Sequence, residues 1–107
     1  MHPLGEFEQL VMFAVIRLDD GAYGAAIRTE LLERAGRDVS PGAIFTTLER
    51  LETRGLVTST YGEPTQERGG RRKRFYRVAP QGRRALAASL DTIRRMASGL
   101  ELGEEPS

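Results

Sequence analysis

The sequence predicts a mainly α-helical chain with one small β-hairpin. The arrangement is a winged helix-turn-helix of order α-α-α-β-β-α, with its C-terminal helix extended for dimerisation. Three observations carry that prediction. Apolar residues recur at helical spacing in three successive segments. A segment rich in β-branched residues follows, with a polar, glycine-containing gap and a return strand. Between Arg68 and Arg84 the chain places eight of its sixteen basic residues and no acidic one. Eight basic and fifteen acidic residues lie outside that run, so the run carries +8 and the remainder −7, a split hidden by the net +1. A concentrated cationic hairpin beside helices is the electrostatic footprint of a nucleic-acid binder.

The first helix is read from Leu4, Phe7, Leu10, Val11, Ala14, Val15 and Leu18, which keep the three-and-four spacing of a helix. Its apolar arc is wide, which implies packing on more than one side, and Asp19-Asp20-Gly21 closes it. Tyr23, Ile27, Leu31 and Leu32 mark a second helix ending at Ala35-Gly36. Arg34 sits near its C-terminus, where the helix dipole favours a cation. Ser40-Pro41-Gly42 opens the third helix: Ser is a favoured N-cap and Pro is tolerated at the first helical position. Ile44, Leu48 and Leu51 form its inward stripe and Gly55 its C-cap. Thr46, Thr47, Arg50 and Arg54 are expected on the outward face, with Phe45 between the faces.

Leu56 to Tyr61 reads as a strand, Gly62 to Gly70 as the hairpin loop and Arg72 to Val78 as the return strand. Pro80-Gln81-Gly82 leads into the last helix, where Leu86, Leu90, Ile93, Ala97 and Leu100 follow 4-3-4-3 spacing. That is a narrow seam of coiled-coil type. Residues 4–79 are therefore expected to form the winged helix, 80–101 the dimerisation helix and 102–107 a disordered acidic tail, within a single domain spanning 1–107.

Composition excludes several function classes. The absence of Cys removes disulfides, thiol nucleophiles and Cys-based zinc sites,. His2 is the only histidine, so no His-centred catalytic or metal site is expected, and no cofactor. The carboxylates are scattered over helix faces and no nucleophile–base pair is evident, so an enzyme is not expected. No apolar run approaches the roughly 20 residues that span a bilayer, and the first residues lack the basic region of a signal peptide. A cytoplasmic protein is expected.

The third helix is the candidate recognition helix, whose N-terminal residues would reach base edges in a major groove. Ser40 opens it, and Gly42 and Ala43 are small enough for a phosphate to approach the helix N-terminus. Thr46 and Thr47 can donate to phosphates or touch thymine methyls, and Arg50 can reach guanine. The other reading is a solvated face, with Glu49 and Glu52 paired to Arg50 or Arg54.

In the basic run, Gly69-Gly70 frees the backbone to lie close to a ligand, and the run passes directly into Phe75, Tyr76 and Val78. Charges on a structured ribbon can be aimed. Arg68, Arg71, Arg72, Lys73 and Arg74 are the expected backbone clamp. Strand alternation puts Arg72, Arg74 and Tyr76 on one face and Lys73, Phe75 and Arg77 on the other; Val78 points to the Tyr76 face as the inward one. Phe75 and Tyr76 are read as core packing against the third helix rather than as stacking platforms for bases. The seam of the last helix, with Phe7 and Val11 of the first, is the expected dimer interface. Arg83 and Arg84 begin the last helix at its dipole-unfavourable end. That implies a nearby anion, either a phosphate or acidic residues such as Glu6 and Glu8.

Four segments resemble the PadR family of bacterial transcriptional regulators: Tyr23-Gly24-Ala25-Ala26-Ile27, Ser40 to Phe45, Leu48 to Val57, and Gly70 to Leu86. The match runs from Leu4 to Leu100, and the order and spacing of these motifs are more specific than any one of them. The resemblance implies a dimeric winged-helix repressor of the subgroup with one C-terminal helix. It also implies double-stranded DNA as partner, a nucleoid-associated location in a bacterial cytoplasm, and release of DNA by a small-molecule effector. Several residues depart from the family pattern. Phe45 stands where the family usually has a Tyr that reaches DNA, Thr46 replaces a usual Pro, and Ala79 replaces a usual Thr N-cap. The chain has no Trp, so the ligand sandwich some members form with Trp side chains is not carried over.

Together these readings give a sequence-specific homodimeric repressor on an inverted-repeat operator, with half-sites about one helical turn apart. The alternative is a winged-helix interaction module whose basic wing docks an acidic protein partner.

Overall fold

The predicted elements form in the predicted order. The computed structural model describes residues 3–64 and 72–103. Helices α1 (Glu6–Leu18), α2 (Gly24–Ala35) and α3 (Pro41–Thr53) precede strands β1 (Val57–Pro64) and β2 (Arg72–Val78), and α4 (Pro80–Ala97) follows them. A short 3-10 turn, Asp19–Gly21, joins α1 to α2.

Helix α1 is the centre of the core because its apolar arc faces three neighbours at once: α2, α3 and β2. Val11 and Met12 have no exposed surface. This corrects the expected dimer interface, since a side chain fully enclosed within its own chain has nothing left to offer a partner. Phe7 packs against the core and stays half-buried. Ile27 and Leu31 of α2, the predicted stripe Ile44, Leu48 and Leu51 of α3, and Val57, Tyr76 and Leu86 complete the core. Each such aliphatic or aromatic burial contributes about 1.5–3 kcal/mol. Leu32, expected with the apolar face of α2, is 49% exposed.

The ends of α3 follow local chemistry. The Ala43 N–H donates to the Ser40 hydroxyl oxygen at 3.1 Å, with Pro41 in the first turn. Gly55, at φ +75°, takes the left-handed conformation that reverses the chain,, and the Leu56 N–H then donates to the Leu51 carbonyl at 3.0 Å.

β1 and β2 pair antiparallel, with Val57 opposite Val78 and Tyr61 opposite Arg74. β1 runs to Pro64 and so takes in the first residues of the expected loop. The register slips between Tyr61 and Pro64, where β1 carries one residue more than β2, the geometry of a bulge. The Tyr76 N–H donates to the Ala22 carbonyl at 2.8 Å, and Tyr23 bridges to Phe75. The link between α1 and α2 is thereby fastened to the hairpin.

α4 is anchored only at its start. Gly82 packs so closely that an added Cβ would lie 2.1 Å from the Leu56 carbonyl oxygen. Leu86 is 4% exposed and belongs to the chain's own core, so the first residue of the predicted seam is also unavailable to a partner. From Asp91 to Leu100 every residue is exposed. The helix ends at Ala97, which puts Leu100 beyond it rather than on its seam. Ala79 caps α4 without a side-chain bond, as the missing hydroxyl requires.

Candidate nucleic-acid interface

The N-terminal half of α3 presents one open side to solvent. Ser40, Pro41, Gly42, Ala43, Phe45 and Thr46 are all exposed, while Ile44, Leu48 and Leu51 fix the opposite side in the core. Phe45 is 52% exposed, an apolar ring presented to solvent beside the first turn of the helix. Arg50 follows on the same outward side, its nearest acid Glu8 being 4.0 Å away.

Thr47 is a correction: it is 4% exposed. It stands three residues after Ile44 and four before Leu51, so helical spacing places it on the inward stripe. Its hydroxyl is not offered to a groove. Arg54 likewise leaves the outward face, lying half-buried with Nη1 3.7 Å from Glu8 Oε1.

Arg74 was expected to clamp a phosphate backbone, and its guanidinium is occupied instead. It reaches Glu49 Oε1 at 2.9 Å and Glu52 Oε1 at 2.6 Å, and its Nε donates to the Ser59 hydroxyl at 3.0 Å. Ser59 in turn donates to Glu52 Oε2 at 2.9 Å. Glu49 and Glu52 therefore pair with the strand, and Glu8 lies beside Arg50 and Arg54. The reason is alternation: Tyr76 is 4% exposed, so its strand face packs inward, and Arg74 on that face is pressed against α3. Burial lowers the Arg74 pKa, but the neighbouring Tyr76, Glu49 and Glu52 outweigh it and hold the guanidinium above its ordinary value. Burial raises Tyr76; Arg74 opposes the shift, and Glu49 and Glu52 add to it. The network fixes α3 against the hairpin. The signal for it was present in the sequence, as two Glu three residues apart on one helix face opposite an inward-facing Arg.

The other strand face carries Lys73, Phe75 and Arg77. Phe75 packs edge-on to Tyr23, with ring centroids 5.7 Å apart, and Lys73 Nζ lies 4.2 Å from the Tyr23 ring centre. Arg77 is neutralised by Asp20 and, at 3.6 Å, by Asp19. Arg72 and Lys73 are exposed and have no acidic partner among the described residues. Arg68 and Arg71 lie outside the described residues. Glu6 pairs with Arg37 at 2.6 Å and Glu8 accepts from the Gly5 N–H at 2.9 Å, so neither serves Arg83 or Arg84 as expected.

Along the exposed part of α4, Ile93 is 53% and Met96 74% exposed, and Leu100 and Leu102 beyond it are 61% and 78%. Leu90 is half-buried and Ala97 exposed. Met96, three residues after Ile93, adds to this exposed apolar surface from outside the 4-3-4-3 seam. No helix among the described residues is long and apolar enough to cross a membrane, and those residues hold no cluster of His, Cys, Asp or Glu suited to a metal ion.

The sequence profile of the Transcriptional regulator PadR-like family covers residues 12–88. The chain belongs to this family. This PadR-like regulator is 38% identical over 81 residues to the transcriptional regulator Rv3488 of Mycobacterium tuberculosis, a match covering 74% of this chain and 69% of that protein. Its fold resembles that of a PadR family transcription regulator from Clostridium difficile R20291, with TM-score 0.68 and 26% identity over 84% of this chain and 90% of the other. A PadR family transcriptional regulator from Eggerthella lenta gives TM-score 0.67 and 25% identity, covering 88% and 81%. The winged-helix reading therefore holds, and the PadR-like family is one of DNA-binding transcriptional regulators.

Proposed function

We propose that this PadR-like regulator is a homodimeric, sequence-specific repressor acting on an inverted-repeat operator. The observation that carries the reading is the exposed face of α3, backed by core on its other side and joined to the hairpin through Arg74, Glu49 and Glu52. Ser40, Gly42, Phe45, Thr46 and Arg50 form the surface that enters the major groove, with Arg50 the candidate for guanine. Phe45 supplies a thymine-methyl contact where a hydroxyl would have supplied a hydrogen bond. Arg72 and Lys73 contact phosphates, and Arg68 and Arg71 belong to the same clamp by their place in the basic run. The dimer forms through α4, where Leu90, Ile93, Met96 and Ala97 meet their copies and Phe7 adds to the contact. Two-fold symmetry then doubles the contact set on paired half-sites. A small molecule that displaces the DNA completes the reading as a ligand-released repressor.

The test is a mobility-shift titration with the DNA upstream of the chain's own gene against a scrambled duplex, repeated over a salt series. Wild type should prefer the upstream fragment. Arg50→Ala should erase the preference. The Arg72→Ala, Lys73→Ala double variant should weaken both duplexes alike and flatten the salt slope by about 0.9 per lost phosphate contact. Equal affinity of wild type for both duplexes counts against the reading.

A further inference from the structure

Arg83 ends the first turn of α4, where the helix dipole disfavours a cation. It is exposed and has no acidic partner among the described residues. It stands seven residues before Leu90 and fourteen before Ala97, so heptad spacing puts it on the same stripe as both. A cation thus occupies one position of an otherwise apolar seam. Charge also divides α4 from the chain that follows it. Pro80–Ala97 holds four Arg and a single acid, Asp91, which pairs with Arg95. Residues 98–107 hold three acids, Glu101, Glu104 and Glu105, and no base. Glu101 is exposed and meets no base among the described residues.

Within one chain these two charges stay apart, because Arg83 and Ala97 already stand about 21 Å from each other along α4,. Two copies bring them together. With two α4 helices antiparallel and Ile93 of each opposite the partner's Leu90, position 100 falls level with the partner's Arg83. The Leu100 N–H donates to the Ala97 carbonyl at 3.1 Å. That turn holds the chain against the helix end, and Glu101 follows directly. Two-fold symmetry repeats the contact at the other end of the pair. Parallel helices would instead set Arg83 against the partner's Arg83 and Glu101 against the partner's Glu101. Like charges so placed oppose association.

We infer that two copies of this chain pair their α4 helices antiparallel, with Arg83 of each registered against the partner's Glu101. The inference rests on the homodimer reading and adds to it an orientation and a register. Apolar seam residues alone leave both open, since Leu90, Ile93 and Ala97 pack against their copies in either direction. Charged residues in and beside such a seam are what select partner orientation. The anion that Arg83 calls for is then a protein carboxylate and not a phosphate.

The experiment measures dimer dissociation by sedimentation equilibrium of the full chain. Arg83→Glu and Glu101→Arg each set like charges together at both ends, and each should raise the dissociation constant by about tenfold or more. Combined in one chain they restore opposite charges in the antiparallel pair, and the constant should return to within about threefold of wild type. Glu101 is exposed and lies beyond α4, so Glu101→Arg leaves the fold intact. Single variants that dimerise as tightly as wild type, or a double variant no tighter than the single ones, overturn the register. The chain has no Cys, so Ala97→Cys reports orientation independently. Parallel helices bring the two Cys within the Cα separation of about 7 Å that a disulfide tolerates. Antiparallel helices in this register hold them about 16 Å apart along the axis. Mild oxidation should leave Ala97→Cys uncrosslinked, and ready formation of the disulfide overturns the antiparallel pairing. Wild-type protein that stays monomeric at every concentration refutes the homodimer reading itself, whereas a wild-type dimer indifferent to both charge reversals refutes the register alone.

Discussion

Replacing Arg74 by Met tests whether this cation stabilises the fold or contacts DNA. The side chain is 24% exposed, with Glu49 at 44% and Glu52 at 33%. The pairs are therefore neither surface pairs, worth about 0–1 kcal/mol, nor fully buried ones, whose disruption costs about 3–5 kcal/mol. Met fills the space of the aliphatic stem but leaves two carboxylates facing each other and the Ser59 hydroxyl short of a donor. About 2 kcal/mol is the expected loss, midway between those limits. For a domain of this size that lowers the melting temperature by roughly 8–16 °C. Adding Glu49→Gln and Glu52→Gln to Arg74→Met should recover part of the loss, because the repulsion goes with the charges. Thermal denaturation followed by circular dichroism reads the stability, and a salt series of duplex affinity reads the contact. A melting temperature within about 2 °C of wild type, with a salt slope flattened by about one unit, would refute the reasoning and return Arg74 to the phosphate backbone.

Other substitutions probe other parts of the account. Gly82→Ala drives a Cβ to 2.1 Å from the Leu56 carbonyl oxygen, and should cost about 1–3 kcal/mol or more in chemical denaturation. Gly42→Ala meets only the Ser40 hydroxyl, at 3.9 Å; it should stabilise the chain by about 0.5–1 kcal/mol while weakening duplex binding at the crowded α3 start. Tyr76 is raised above its ordinary pKa by burial, so folding favours its neutral form. That contribution is complete below the unfolded value, about pH 10, and is lost as pH rises through the folded one. Alkaline unfolding monitored by phenolate absorbance should therefore move to higher pH in Tyr76→Phe. Ile93→Glu should convert the dimer to monomer in sedimentation velocity at micromolar concentration without lowering helix content, and a persistent dimer would place the interface elsewhere.

The elements were legible because each rests on local chemistry: Ser40 and Pro41 at the start of α3, Gly55 at its end, β-branched residues in β1, and three-and-four spacing in the helices. Period alone also identified Ile44, Leu48 and Leu51 as core. The errors arose where a residue's role depends on what another element places beside it. Val11 sits on an arc that looked wide enough to share with a partner, and α2, α3 and β2 cover it completely. Thr47 was grouped with Thr46 by polarity, but helical spacing sends it inward. Arg74 belonged by composition to a cationic run, yet one strand position turns it toward Glu49 and Glu52. The run is thus several things: Arg74 and Arg77 are neutralised within the fold, and Arg72 and Lys73 are left to act outside it.

The central claim is that α3 reads a specific sequence in two-fold symmetry. Selection of bound fragments from a random duplex pool, followed by sequencing, tests it most directly. Wild-type protein should enrich an inverted repeat with half-sites about one helical turn apart, lost in Arg50→Ala and reduced to a single half-site or to no enrichment in Ile93→Glu. A pool that wild-type protein retains without any enriched sequence, or with one lone half-site, would contradict it.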